Sequence, residues 1–438
     1  MTFYLLSLGC PKNLVDSEKL TKRLRHSGHR QVSGPGEADV LMVNTCGFIE
    51  AAKDESIEEI LRLARIKEGR RLLVLGCLSQ RYGNELQAEL PEVDAMWGVE
   101  AGEEIARYID SNYSGEKTGG PGGNRLGGKT RTTAPSFRPS TFPSAYLKIS
   151  EGCGRRCSFC SIPLIRGPLR NFEPEDILRE AEEQIRAGVK ELILVSQDTT
   201  SYSVKGYRLH DLLKDICGLA GDFWVRLHYL HPSGIDRELL EAMAGEPKAV
   251  KYLDMPLQHS SPRILRLMAR GGSGSSFKRT ISHARKMMPE LAVRTTFIVG
   301  FPGESEEEFE GLLNFIGEAA FDHAGAFVYS REEGTPAARL QGQLPRALKK
   351  RRLDRLMKTQ AAISLEKNMV LPGREMTALV DEAEDGVAVG RLASQSPDVD
   401  GVIFIENEDG ALKAGDFTRV LVTKAYDYDL EAVPARGK

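Results

Sequence analysis

Six of the seven cysteines fall into two sets of three, and the two sets are built differently. Cys153, Cys157 and Cys160 share one short segment, Glu151-Gly-Cys-Gly-Arg-Arg-Cys-Ser-Phe-Cys160, just after the strand-like Tyr146-Leu-Lys-Ile-Ser150. Iron-sulfur cubanes are normally held by four cysteine thiolates. A tight triad with no fourth cysteine nearby would leave one iron without a protein ligand and open to a cosubstrate. The alternative is a structural zinc knuckle, since thiolates at this spacing also suit tetrahedral zinc. Zinc usually closes its shell with a fourth Cys or His, and the next histidine along the chain is His210.

The second triad is scattered. Three apolar runs each end in a cysteine: Phe3-Tyr-Leu-Leu-Ser-Leu-Gly-Cys10, Val40-Leu-Met-Val-Asn-Thr-Cys46 and Arg71-Leu-Leu-Val-Leu-Gly-Cys77. Each is followed by a helix-like stretch. Continuous apolar runs alternating with helices indicate a parallel sheet buried on both faces. The intervals of 36 and 31 positions fit one βα unit each. Neighbouring parallel strands present their carboxyl ends on one edge, where open α/β sheets place ligands, so Cys10, Cys46 and Cys77 can converge. The bland alternative is three small buried side chains, since free cysteine packs well in cores. Cys217, within the helix-like Leu212-Leu-Lys-Asp-Ile-Cys-Gly-Leu, is expected to have only such a packing role.

The segment around Cys153 and the opening Ser7-Leu-Gly-Cys-Pro-Lys-Asn-Leu-Val-Asp-Ser-Glu18 resemble the methylthiotransferases of the radical S-adenosylmethionine (SAM) superfamily, of the type that modifies a ribosomal protein. The resemblance runs nearly end to end. It implies two 4Fe-4S clusters: an auxiliary one on Cys10, Cys46 and Cys77, and a radical SAM cluster on Cys153, Cys157 and Cys160 whose open iron chelates SAM. Phe159 matches the aromatic position beside the adenine. The implied substrate is small-subunit ribosomal protein S-twelve, modified at the β-carbon of one aspartate, with a flavodoxin or ferredoxin as electron donor. One departure stands in Arg166-Gly-Pro-Leu-Arg-Asn-Phe172. Phe172 occupies a place where the family often has arginine, and Arg170 could substitute.

These motifs need a large frame. At 438 residues the chain exceeds what one core comfortably holds. No apolar run approaches the roughly 20 residues of a membrane helix, and the start lacks a signal-peptide pattern, so a cytoplasmic protein without membrane contact is expected. Such a compartment disfavours disulfides and leaves metal ligation as the use for the cysteines. The expected architecture is α/β: an N-terminal open parallel α/β domain (1–112), a Gly/Pro-rich linker (113–143), a central partial (βα)6 radical SAM barrel (144–369) and a small antiparallel β-barrel resembling the TRAM domain (370–435). Six β-like runs define the central barrel: Tyr146–Ser150, Glu191–Gln197, Trp224–Leu230, Lys251–Met255, Val293–Gly300 and Ala324–Tyr329.

Parallel βα folds place chemistry at strand carboxyl ends, so the loops there should line the SAM pocket. Gln197 and Asp198, in Ser196-Gln-Asp-Thr-Thr200, are candidates for the SAM amino group. Gly300 and Gly303, in Gly300-Phe-Pro-Gly-Glu304, resemble the superfamily's SAM-side turn, and equally suit a helix start. His228, His231, Gln258 and His259 follow the third and fourth strands, where each histidine is expected to be a satisfied hydrogen-bonding group rather than a ligand.

Charge bears on the partner. Net charge is only -3, but from Val370 to Ala435 there are five Arg or Lys against fourteen Asp or Glu. Nucleic-acid binding relies on cations contacting phosphates, so this module disfavours RNA and suits a basic protein. A transfer-RNA methylthiotransferase is the rival within the same family. The basic helix that begins near Leu344 is expected to be a solvated face.

Overall fold

The computed structural model describes residues 1–113, 141–384, 386–408 and 410–435. The expected linker at 113–143 lies almost wholly outside them. The chain forms two compact units, Met1–Arg138 and Pro139–Lys438. Among the described residues no helix is long and apolar enough to cross a membrane.

In the first unit the apolar runs become parallel strands: β1 (Thr2–Ser7), β2 (Arg30–Gln31), β3 (Val40–Thr45), β4 (Arg71–Gly76) and β5 (Ala95–Met96). They form one five-stranded sheet in the order β2-β1-β3-β4-β5. Both faces are covered. Leu41, Val43, Leu72 and Val74 pack with Ile60, Leu63 and Leu86 on one side, whereas Phe3, Met42 and Leu73 pack with Leu20, Leu24, Ile105 and Ile109 on the other. Coverage on two faces is why the strands read as unbroken apolar runs.

The second unit opens with β6 (Ser144–Lys148), and a short antiparallel pair, β7 (Ser150–Glu151) and β8 (Arg170–Asn171), brackets the cysteine segment. β9 (Glu191–Val195) follows, then a small hairpin, β10 (Ser203–Val204) and β11 (Tyr207–Arg208), then β12 (Trp224–Leu227), β13 (Tyr252–Asp254), β14 (Ala292–Val299) and β15 (His323–Val328). The six principal strands are all parallel, in two three-stranded sheets, β12-β9-β6 and β13-β14-β15. Between them, Val225 of β12 makes a parallel bridge to Ala249, three residues before β13.

Alternate residues of these strands go two ways. Ala145, Leu147, Leu192, Leu194, Val225, Leu227, Leu253 and Val293 enter the apolar core beneath the helices. The intervening Ser144, Tyr146, Lys148, Glu191, Arg226, Tyr252 and Asp254 are also buried, so the inner face of the partial barrel is polar. The basic helix, Arg346–Asn368, departs from expectation. Arg352, Leu356, Gln360 and Ser364 form a buried stripe at every fourth position, and Arg352 pairs with Glu304 at 2.7 Å. A charged residue with a fixed carboxylate partner can lie in an interface that its sequence pattern assigns to solvent.

The remaining strands, β16 (Glu375–Glu384), β17 (Gly386–Leu392), β18 (Ile403–Asn407), β19 (Phe417–Ala425) and β20 (Leu430–Pro434), close a five-stranded barrel. Four of them form where the sequence has the β-like runs Met376–Val380, Gly386–Gly390, Gly401–Ile405 and Phe417–Ala425. The fifth is short and ends in proline, yet it closes the ring by pairing parallel with β18 and antiparallel with β19. The barrel is therefore antiparallel except at that seam.

The loop 393–402, between β17 and β18, enters the floor of the larger barrel. Tyr146 Oη donates to Asp398 at 3.1 Å, Tyr252 Oη to Asp400 at 2.6 Å and Arg226 Nη1 to the Ala393 carbonyl at 3.0 Å. His228 Nε2 and Ser396 Oγ are 2.8 Å apart. Beside this loop, fully buried Glu191 is held by Arg226 and by Arg391 of β17, each at 2.7 Å. Burial favours the neutral acid, but the two guanidinium groups override it and bring the Glu191 carboxyl down to about 2. Arg391→Ala takes one of two guanidinium partners from Glu191 and removes the partner of Asp381, and should cost about 3–5 kcal/mol of stability in urea unfolding. Because the folded value lies below the ordinary 4.5, the Glu191 contribution is complete above that pH and is lost as pH falls toward 2. Acid titration of the unfolding midpoint should show the loss in wild type and not in Glu191→Gln.

Candidate cluster and cofactor sites

Cys10 follows β1, Cys46 follows β3, and Cys77 follows β4 as the first residue of the helix Cys77–Glu89. These strands are adjacent, with Ser7 opposite Asn44 and Thr45 opposite Gly76, so the three cysteines come together at one sheet edge. A Cβ on Gly9 would stand 2.7 Å from Cys46 Cβ and 2.9 Å from Cys46 Sγ. Only glycine lets the chain before Cys10 approach that closely, and its φ of +89° adds a second demand for it.

Asn13, buried on the helix Pro11–His26, ties the edge together. Its Nδ2 donates to the Leu8 and Thr45 carbonyls, both at 2.9 Å, while Cys77 Sγ donates to its Oδ1 at 3.4 Å. Ser56 Oγ accepts from Cys46 N and donates to Cys46 O, each at 3.0 Å. Cys10 is the N-cap residue of the helix Pro11–His26, and Cys77 opens the helix Cys77–Glu89. Asn13 and Ser56 were not singled out from sequence. Asn13 lies inside the opening motif, but nothing in its spacing distinguishes it from a solvated helix residue.

In the second unit the cysteine loop is pinned at several points. Cys153 N donates to Gly167 O at 3.2 Å, Ser158 N to Met268 O at 2.9 Å, and Ala337 N to Ser158 O at 2.8 Å. A Cβ on Gly152, whose φ is +71°, would lie 2.1 Å from the Pro168 carbonyl. Two N–H groups address the sulfurs: Arg155 N to Cys153 Sγ at 3.4 Å and Arg270 Nη1 to Cys157 Sγ at 3.5 Å. Burial raises the Cys153 thiol and pushes Cys160 up to about 12, so these thiols keep their protons until a metal displaces them. Phe159 packs against the apolar core.

Just before the loop, Glu151 is the hub of a buried ionic cluster. Lys148 Nζ donates to it at 2.6 Å, Arg166 Nη1 to both its oxygens at 2.9 Å, and Gln197 Nε2 at 3.0 Å. Although burial opposes ionisation, Lys148 and Arg166 bring the Glu151 carboxyl down to about 2. Asp198 turns to its own loop: it accepts from Arg155 Nε at 2.7 Å, Thr200 Oγ1 at 2.6 Å and Ser201 Oγ at 2.7 Å. The Gly300 and Phe301 amides donate to Glu304 at 2.7 and 3.1 Å, and Gly303 N donates to Gly342 O at 2.8 Å. That turn is thus fastened from behind. Phe172 packs on the core with the Arg170 guanidinium over its ring, centroid distance 5.4 Å.

His228 belongs to the floor of the barrel rather than to the carboxyl edge. Burial brings it and His231 down to about 3 and His259 to about 4, so all three are neutral near pH 7. Gln258 is a backbone pairing residue opposite Phe297.

The donors present fit a cluster with a chelating cosubstrate. Each triad is all thiol, and unpartnered buried polar atoms remain at the carboxyl edge: Ser150 Oγ, Gln197 Oε1, His259 Nε2 and Arg270 Nε. Among the described residues no three Cys, His, Asp or Glu groups stand close enough to hold a single metal ion.

Comparison with known proteins adds to this geometry. Residues 2–98 match the model of uncharacterized protein family UPF0004, 147–316 that of the radical SAM superfamily and 373–434 that of the TRAM domain. The chain is 48% identical to ribosomal protein uS12 methylthiotransferase RimO of Thermodesulfovibrio yellowstonii over 98% of its own length and 99% of the relative's. It is 44% identical to the protein of the same description in Thermotoga maritima, covering 97% of each. Among solved structures it resembles the radical SAM methyltransferase TsrM from Kitasatospora setae, determined with cobalamin and a 4Fe-4S cluster bound. The TM-score is 0.55 at 15% identity, covering 77% of this chain and 73% of that one, which speaks to fold.

The Glu151 hub generates a direct expectation. Glu151→Gln keeps the shape but leaves Lys148 and Arg166 short of their counter-charge, at a cost of about 3–5 kcal/mol. After anaerobic reconstitution the variant should hold less iron than wild type by colorimetric assay, with the deficit absent in the isosteric surface change Glu406→Gln.

Proposed function

The chain belongs to the RimO family of radical SAM methylthiotransferases, and on that premise we propose that it attaches a methylthio group to the β-carbon of an aspartate in ribosomal protein uS12. The observation that carries this reading is the pair of all-cysteine triads, each at the carboxyl edge of parallel strands. We assign the auxiliary site to 1–112, the radical SAM core to 144–369 and the TRAM barrel to 370–435.

An unactivated aspartyl C–H bond is too weak an acid for general-base catalysis. With 4Fe-4S clusters on Cys153, Cys157, Cys160 and on Cys10, Cys46, Cys77, and two SAM molecules per turnover, the cofactors would supply the radical, the sulfur and the methyl group. The chain's own residues supply placement. Glu151, held by Lys148 and Arg166, fixes the start of the cysteine loop. Phe159 would flank the adenine. Gln197, whose Oε1 is unpartnered and buried, would accept from the SAM amino group. Asp198 would act one step back, by holding Arg155 against the loop. Gly300 and Gly303 would shape the pocket wall. A flavodoxin or ferredoxin would deliver electrons.

The acidic barrel supports a basic protein as substrate over RNA, since it would repel phosphates. The deciding experiment incubates reconstituted enzyme with SAM and reductant, plus either uS12 or transfer RNA. A methylthio mass gain on the protein is expected, and a gain on RNA alone refutes the reading. Anaerobic preparations should carry about eight irons per chain. Cys10→Ala should retain SAM cleavage and lose sulfur insertion; retained insertion would remove the auxiliary assignment.

A further inference from the structure

Asp400 belongs to the C-terminal barrel, yet its side chain is fully buried in the floor of the core. Its oxygens accept from Tyr252 Oη at 2.6 Å, Arg294 Nη1 at 2.8 Å and Ser396 N at 2.9 Å, with the His323 ring 3.6 Å away. Arg294 also faces upward to Asp254, at 3.8 Å. Asp254 caps a turn: its Oδ2 accepts from Tyr229 N at 2.8 Å and its carbonyl from Leu230 N at 2.9 Å.

Tyr229 has φ +58°, a left-handed conformation that a bulky residue holds only where its surroundings over-determine it. The Tyr229 carbonyl in turn accepts from Thr199 N at 3.1 Å. Thr199 follows Asp198, which grips Arg155, and Arg155 N donates to Cys153 Sγ. An unbroken series of polar contacts thus runs from the C-terminal barrel to the cysteine loop.

We propose that Asp400 is a positioning residue for the cosubstrate site, holding through Arg294 and Asp254 the Tyr229 turn on which the 198–201 loop rests. The proposal rests on the assignment of that loop to the wall of the SAM site. Removing the Asp400 charge leaves Arg294 to draw on Asp254 alone. The carboxylate that caps the Tyr229 amide then turns toward the guanidinium, and the strained turn loses its support.

Hydrogen exchange by mass spectrometry on the metal-free full chain tests the geometry without cofactors. Asp400→Asn should speed exchange about tenfold in peptides covering 197–202 and 228–231, the size of an ordinary contact coupling, while peptides from β9 and β14 stay protected. SAM should bind the reconstituted variant more weakly by a similar factor, and Asp254→Asn should reproduce both effects. Unchanged exchange at 197–202, or a uniform rise through all core strands, overturns the proposal. Should Asp400→Asn not fold, Tyr252→Phe removes one hydrogen bond from Asp400 and must give a smaller change in the same two segments; no change there also overturns it. If wild type binds no SAM while the exchange pattern holds, the SAM-site assignment fails and the positioning role stands.

Discussion

Buried charge on the inner face of the partial barrel is the constraint that the rest of the second unit answers. Unpaired, any one of Lys148, Glu191, Arg226, Asp254 and Arg294 would oppose folding by several kcal/mol. Three charge-paired groupings ease the conflict, each setting opposite charges against one another. Lys148 meets Glu151 and Arg166 at the carboxyl edge; Glu191 meets Arg226 and Arg391 near the floor; Arg294 meets Asp254 and Asp400 along one side. Two of the three need a residue from the small barrel. The module that by position looks like an appendage is therefore part of the electrostatic closure of the core.

The two cysteine triads illustrate two ways of bringing three thiols together. A loop triad is local in sequence but has little structure of its own, so remote segments must fix it: Gly167, Met268 and Ala337 through backbone bonds, Arg270 through sulfur. A triad at strand ends inherits its spacing from the sheet ladder and needs only local trimming, which Asn13, Ser56 and the missing side chain of Gly9 provide. Damage to the first comes from many distant positions. Damage to the second comes from anything that shifts β1, β3 or β4 in register.

Much of this was legible in the chain. Both triads, the parallel sheet and the six barrel strands follow from spacing and from apolar runs, because each reflects short-range periodicity. What could not be read depends on partners tens to hundreds of residues away. The alternation of Ser144, Tyr146 and Lys148 looks like a strand with one wet face; Arg391 over Ser144, Asp398 at Tyr146 and Glu151 at Lys148 make that face dry. Arg352 looks like solvent-facing charge until Glu304 is placed over it. Leu430–Pro434 is too short and too close to proline to declare itself a strand without β18 alongside. Asp198 and the Gly300 turn sit at the expected edge, but their polar groups are spent on holding neighbouring loops, a distinction that residue type does not carry.

The placement of Asp400 and Arg391 has a consequence in time. A chain made from its amino terminus exposes Arg294 on the ribosome well before Asp400, the nearer of its two carboxylate partners, and Glu191 well before Arg391, and domains generally fold as they emerge. The catalytic core of this protein therefore cannot reach its final electrostatic balance cotranslationally. It must wait for residues 391–400 to leave the exit tunnel, so the core and the small barrel reach their final packing together.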